Sequence, residues 1–441
     1  MPKSRRLWMA LWVVLAALLV VRTGVRERGV ILDHVEFGNR LLSGTNPYAD
    51  FAADPDEQPH PLHPPYPPSF GLLTAPFAVL ARLDAAPGAD GAPDLRTSNL
   101  ARIGWALMQV LAIAVVARLL VRTESRHGLP QGNRAQFLLL ATLLLASRFL
   151  LRDTHGGGGN LVNLALAMLA FHDARNGREL RGGVWLGISL ATKPALLWLL
   201  PFFVATGNWR TSVHAVWTAL AAAGLSVAML RGDVGPWLRW AEGTWIHSTR
   251  QDVFAPAALG FPEFTWMNQS MRCMFARWLG ETPDVFAGQV EVGWVPGLGL
   301  DPAVPSTLNT LCTVAMLCAL LAVARLRRND PVALHWTFGA LLACSLLFSP
   351  LTWKAHHVAL LPLFWLLVVE GAAARSRAAL VALLLYLPTA VVGEEFTGKS
   401  LKNTLQSWYL LTLWDIAMVC LAISVAWRHN VMLADRDTRN P

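Results

Sequence analysis

Four places in this chain carry residues of a type and spacing that could do chemistry. Asp33 and Glu36 stand three positions apart in VILDHVEFGNRLLSGTNPY. A helix from Val30 puts them with Arg40 on one stripe, and Ile31, Val35 and Leu42 on another, as in a helix lying on a membrane. A carboxylate so placed can accept a proton as a general base, and it can equally be the wet side of such a helix. Lys193, in LATKP, interrupts an apolar block, where a lysine at the centre of a single span is costly. Arg272 in WMNQSMR, and His356 and His357 in SPLTWKAHH, are cationic or donor groups of the kind that hold an anionic oxygen.

Other motifs have plainer explanations. The run RDTHGGGGN (152–160) resembles a phosphate cradle but lacks the Lys-Ser/Thr of a P-loop, so a hinge is the better reading of the glycines. Asn268-Gln269-Ser270 is formally a glycosylation sequon, a pattern common by chance. Adjacent histidines on a helix point to different sides, and no HxxxH spacing accompanies His356-His357. Asp54-Pro55-Asp56 imitates a metal-binding DxD within an acidic, proline-rich loop, where a solvated stretch suffices. Tyr66 stands between prolines that force extended backbone, as a groove wall or a rigid connector. The five cysteines show no CxxC spacing, so neither a zinc site nor a disulfide framework is indicated.

The elements that must position these groups are membrane helices. The chain has 441 residues, 54% hydrophobic and only 15% charged. Its apolar residues come in blocks near the roughly 20 residues needed to cross hydrocarbon. Only helices or closed barrels satisfy the backbone there, and no barrel-like alternation is present. The blocks run over 7–22, 98–121, 136–151, 160–172, 183–206, 211–230, 309–325, 334–348, 358–373, 378–392 and 407–427. The N-terminus resembles a secretory signal without a small-x-small cleavage site and reads as a first span. The expected fold is an all-α polytopic membrane protein forming one domain over 1–441, with about 11–13 transmembrane helices.

Charge sets the expected orientation, because short cytoplasmic loops collect Lys and Arg. The clusters around Arg5, Arg122, Arg175, Arg210, Arg325, Arg375 and Arg428 can all be cytoplasmic under two conditions. The block 69–83, short and containing Pro76, must not cross. The block 183–206, flanked by Arg181 and Arg210, must go in and return at Lys193-Pro194. Both termini are then cytoplasmic. The outer side receives the long segments 23–97 and 231–308, with 152–159, 349–357 and 393–406. The net charge of +8 is thus an orientation signal, and no nucleic-acid partner is implied.

An ordered set of short signatures spans most of the chain: Asp33, GTNPY (44–48), YPP (66–68), GN(x)2N (159–163), LATKP (190–194), NQS(x)R (268–272) and SPLTW(x)3H (349–357). The set resembles glycosyltransferase family 87, GT-C-fold enzymes that use polyprenyl-phosphate sugars and include mannosyltransferases. The chain departs from the family's usual residues at Asn160, Lys354 and Phe37. The resemblance implies a hexosyltransferase of the cell (inner) membrane with its active site on the outer, periplasmic face. It would move a hexose such as mannose from a polyprenyl-phosphate donor to a glycolipid or glycan acceptor, without metal or other cofactor. A phosphate is already a good leaving group, so one general base suffices for an inverting displacement, and the resemblance puts it at Asp33. Lys193, Arg272, His356 and His357 then become the donor-phosphate ligands. Glu36, Tyr66, Asn160, Asn268, Gln269 and Trp353 become the substrate pocket.

The rival class is a transporter or flippase of lipid-linked saccharides. It would want polar groups at mid-membrane and internal repeats, whereas these spans are mostly Leu, Ala and Val. A structural or assembly subunit makes no demand on Asp33. Within the enzyme class, arabinofuranosyl transfer stands beside mannosyl transfer.

Overall fold

A computed structural model describes residues 3–24, 31–48, 66–88, 91, 93–123, 128–254, 265–284, 293–374, 376–390 and 394–437. Asp54-Pro55-Asp56 lies outside them. The helices, in chain order, are α1 (Lys3–Gly24), α2 (Ile31–Ser43), α3 (Phe70–Asp84), α4 (Asn99–Leu120), α5 (Gly132–Leu145), α6 (Ser147–Gly156), α7 (Asn160–Arg175), α8 (Glu179–Thr192) and α9 (Leu199–Ala205). They continue with α10 (Trp209–Met229), α11 (Gly235–Thr249), α12 (Met271–Leu279), α13 (Ala303–Leu326), α14 (Pro331–Phe348), α15 (Leu361–Ala374), α16 (Arg377–Ala390), α17 (Glu394–Ser407) and α18 (Leu410–Asp437). A two-stranded ribbon pairs Ala86–Pro87 with Pro93–Asp94.

Seven helical segments among the described residues are long and apolar enough to cross a membrane. They are Ser4–Gly24, Asn99–Leu120, Trp209–Met229, Ala303–Leu326, Pro331–Phe348, Lys354–Ala372 and Leu410–Arg428. An eighth results if α5 and α6, bent by 65° at their junction, count as one span. The protein is an all-α multi-pass membrane protein. In the blocks at 160–172, 183–206 and 378–392 the described residues form helices shorter than a full crossing, which is why seven or eight segments qualify among the described residues where the sequence shows eleven apolar blocks.

The innermost spans are Pro331–Phe348 and Lys354–Ala372, 83% and 78% buried, whereas Ser4–Gly24 is only 11% buried. The start of α14 is set locally. Asp330 accepts from the Ala333 N–H at 3.0 Å, and Pro331 needs no hydrogen bond in the first turn.

Small residues bring α7, α8 and α10 together. A Cβ at Gly182 would meet Ala170 O at 2.9 Å. Gly183 lies against Thr211 and His214, and Gly187 against Ala215 and Thr218. Glycine at such contacts lets helix backbones approach closely. Both sets of partners advance together, so α8 and α10 run parallel and the chain reverses between them. Ser212 Oγ, donating to Leu200 O at 2.8 Å, ties the returning α9 to α10. Residues 183–206 therefore go in and come back, and Lys193 sits at the far point of the excursion.

The amphipathic α2 keeps Asp33 exposed and buries Ile31 and Val35. Its apolar stripe continues through Leu41 and not Leu42, which is 37% exposed, and it includes His34. The reason is α3: at Gly38 a Cβ would stand 2.6 Å from the Thr74 backbone, so the stripe turns toward that crossing. α2 ends at Ser43, where Gly44 adopts φ +67°.

Candidate functional site

The site is built around the N-terminus of α7. Asp153, in α6, is fully buried. Its Oδ2 accepts from the Leu161 N–H at 2.9 Å, and its Oδ1 accepts from Asn160 Nδ2 at 2.6 Å. A carboxylate there satisfies helix N–H groups left without partners and complements the helix dipole. Two glycines of the run, Gly157 and Gly158, make this possible and are tightly packed. A Cβ at Gly157 (φ +75°) would meet Ile31 N at 2.6 Å, and one at Gly158 would strike the Asp153 carboxylate. The α7 terminus already holds an anion, so it is not an open phosphate cradle.

GN(x)2N then has a physical reason. Asn160 and Asn163 share one face of α7. Asn160 Oδ1 accepts from Lys193 Nζ, and Asn163 donates to the Lys193 carbonyl at 3.4 Å while accepting from Ser189. Lys193 itself is extended (φ −154°), as the residue before Pro194 must be. Burial lowers the Lys193 amine to about 8, and the nearby Asp153 carboxylate opposes the shift.

Lys193 Nζ lies 3.2 Å from His356 Nε2. His356 opens the turn Lys354–Leu360, and its Nδ1 accepts from the Trp353 N–H at 3.2 Å. The lysine ammonium and the imidazole ring therefore share one buried polar pocket, supplied by separate elements, in which an anionic group has a cationic partner. Lys193 also stands 5.6 Å from the centre of the Tyr66 ring, which stacks on Phe70 at 4.1 Å. Tyr48 braces this wall by donating to Tyr66 O at 2.7 Å. His34 fills the space behind Tyr66, Phe70 and Trp105. Burial pushes it down to about 3, so it is neutral.

The remaining candidates divide. Asn268 is fully buried, donates to Pro350 O at 2.8 Å and accepts from the Thr352 N–H at 2.8 Å. Gln269 donates to Trp266 O at 2.7 Å and Gln406 O at 3.1 Å, and its N–H bonds Thr352 O at 2.8 Å. The Asn268 side chain and the Gln269 backbone N–H therefore hold the 349–353 loop that leads to His356. Arg272 is buried at the start of α12. His357 turns away from His356, with Nε2 3.2 Å from Asp415 Oδ2 and its ring stacked on Phe149.

Asp33 is not bonded into this cluster. Its side chain is 66% exposed and lies 3.9 Å from Arg96, a pair of a kind worth little at a surface. Glu36 pairs with Arg40 at 3.0 Å. The structure thus unites Tyr66, Asn160, Lys193 and His356, has Trp353 support His356, and leaves Asp33, Glu36 and His357 outside. Sequence reasoning missed Asp153, Asn163 and His34. An acid beside apolar residues that precede a Gly-Asn helix start was the available signal for Asp153. A cavity of about 600 Å³ lies elsewhere, an apolar lateral groove between α5, α15 and α16 lined by Phe137, Leu144, Val368, Leu380 and Leu387.

The opposite end of α8 is basic. Arg178 and Arg181 each lie 2.9 Å from the buried Asp173, and Arg175 donates to Arg328 O at 3.4 Å. The polar cluster and the arginine cluster therefore occupy opposite ends of the bundle.

The family model of glycosyltransferase family 87 matches residues 65–350, more than half of the chain. The match takes in Tyr66, Asn160, Lys193 and Arg272, and Asp33 and His356 lie beyond its limits. No curated protein matches the chain.

Proposed function

We propose, from the premise that this chain belongs to glycosyltransferase family 87, that it moves a hexose, mannose on the family's pattern, from a polyprenyl-phosphate donor to a glycolipid or glycan acceptor. The protein is a multi-pass membrane glycosyltransferase, and a sugar donor and a lipid or glycan acceptor follow from that.

The observation that carries the reading is the meeting of Lys193 and His356 at 3.2 Å, two groups able to hold an anionic oxygen that separate elements bring together. The donor phosphate would lie between them. Asn160 and Asp153 hold the lysine in place, and Tyr66 forms a wall on which a sugar ring can pack. The acceptor oxygen attacks the anomeric carbon with inversion, and the bond from that carbon to the phosphate oxygen breaks. The electron pair leaves with the phosphate, whose growing charge Lys193 and His356 stabilise. The acceptor proton goes to Asp33 as the single general base. Asp33 is the neighbour of His34 on α2, and the His34 ring is 5.1 Å from that of Tyr66. Arg272 supports the same end of the bundle.

This end belongs on the outer, periplasmic side of the cell membrane, with 23–97 and 231–308 as its two long loops. The arginine-rich end and both termini are then cytoplasmic, as positive-inside loops require. A flippase would need its polar groups at mid-bilayer, and the cluster at one end argues against that.

The test is incubation of the purified protein with radiolabelled polyprenyl-phosphate mannose and a crude lipid extract. A new labelled glycolipid is expected. Labelling only from the arabinose donor would replace the sugar, and none from either would overturn the donor class.

A further inference from the structure

We infer that Asp415, in the last transmembrane helix, is a positioning residue that acts through His357 on the donor-facing His356. The inference rests on the phosphate-binding role proposed for His356.

His357 and Asp415 are both fully buried, and the cluster at Lys193 uses neither. Their proton inventory is constrained. His357 Nδ1 lies 3.1 Å from Trp353 O, and a carbonyl only accepts, so Nδ1 carries a proton. His357 Nε2 lies 3.2 Å from Asp415 Oδ2. A bare lone pair against a bare carboxylate would repel, so the pair as a whole carries one further proton, and its two atoms meet as an ion-pair contact with no other hydrogen-bond partner for either among the described residues. Imidazolium with carboxylate and imidazole with carboxylic acid both meet that condition, and both leave the buried pair neutral.

The same tryptophan peptide is gripped from its other side. The Trp353 N–H donates to His356 Nδ1 at 3.2 Å, while its carbonyl is held by His357. Asp415 fixes the His357 ring, and Phe149 stacks on that ring at 5.1 Å. The ring fixes the Trp353 peptide, and the peptide fixes the tautomer and direction of His356. α18 adds a second hold on the loop, because Thr412 donates to Gln269 O at 2.9 Å and Gln269 N–H donates to Thr352 O at 2.8 Å. Asp415 never touches the donor in this scheme.

The experiment is a double-mutant cycle between Asp415 and His356 on the full-length protein, reading donor KM, kcat and thermal unfolding in detergent. Asp415→Leu is expected to raise donor KM roughly tenfold with intact His356 and to add nothing in a His356→Ala background. Asp415→Asn can turn its amide to donate to His357 Nε2, so it should restore most of the donor affinity. Equal KM factors in both backgrounds would overturn the inference and make Asp415 a packing residue. Should Asp415→Leu fail to fold, the Asn variant decides: a tenfold KM loss independent of His356 also overturns it. An unchanged donor KM in His356→Ala alone would instead remove the phosphate role of His356, a different failure.

Discussion

Lys193 and Asp153 are joined by one amide. Asn160 accepts from the lysine ammonium through Oδ1 and donates to the carboxylate at 2.6 Å through Nδ2. The carboxylate in turn caps α7, so the helix start, the buried acid and the lysine form one unit. Such a unit is rigid because each member is held by bonds that the others supply.

Asp153→Ala should therefore damage both stability and donor binding. Losing the carboxylate leaves the Leu161 N–H and the Asn160 amide without their acceptor, at about 1–3 kcal/mol for each buried group. Thermal unfolding in detergent should fall markedly. Unfolding unchanged from the parent would show that the lysine does not depend on the acid.

The glycine run offers an internal control. Gly157→Ala should lose folded protein, because its φ of +75° and the Ile31 backbone both exclude a side chain. Gly156→Ala, with open space around it, should leave yield and unfolding temperature unchanged. A tolerated Gly157→Ala would mean that α2 does not dock there.

Donor affinity should depend on pH through Lys193. The folded amine is lowered from its ordinary 10.5 to about 8, so it is charged below about 8 and neutral above it. Donor KM should therefore rise as pH passes upward through about 8, and Lys193→Met should flatten that rise. Stability moves oppositely. Between about 8 and 10.5 the unfolded chain binds the extra proton, so this group makes the fold more stable as pH rises. A donor KM flat from pH 7 to 9 in the parent protein would argue against a charged lysine at the phosphate.

Asp33→Asn should abolish transfer while expression and donor-lipid binding persist. Loss of a general base lowers turnover by about 10²–10⁴-fold. Near-normal turnover would hand the proton to another group.

The reversal of the chain at Lys193 can be read by labelling. Single cysteines replacing Leu197 and Asn208 in a cysteine-free background should react with impermeant thiol reagents from opposite sides of the membrane. Reaction from the same side would make 183–206 a single crossing.

Much of this architecture is written locally. Apolar blocks with few charges require membrane helices, and Lys193-Pro194 in such a block requires a break; both follow within a turn or two of the residues concerned. The ordered signatures pointed to the family, and the segment matched, 65–350, contains most of them. Only the tertiary structure decided what each signature does. Asn268, which looks like a pocket residue in the sequence, bonds the loop before His356 with its side chain, and Gln269 bonds the backbone at Trp266 and Gln406 with its own. His356 and His357 are neighbours in the chain, yet one meets Lys193 and the other meets Asp415. Asp33 and His34 likewise part, one to solvent and one to the aromatic wall. The physical reason is range. Hydropathy and helical period act between residues a few positions apart, whereas the partners of the buried Lys193 amine, Asn160 and His356, lie far away in the chain and meet it only through helix packing.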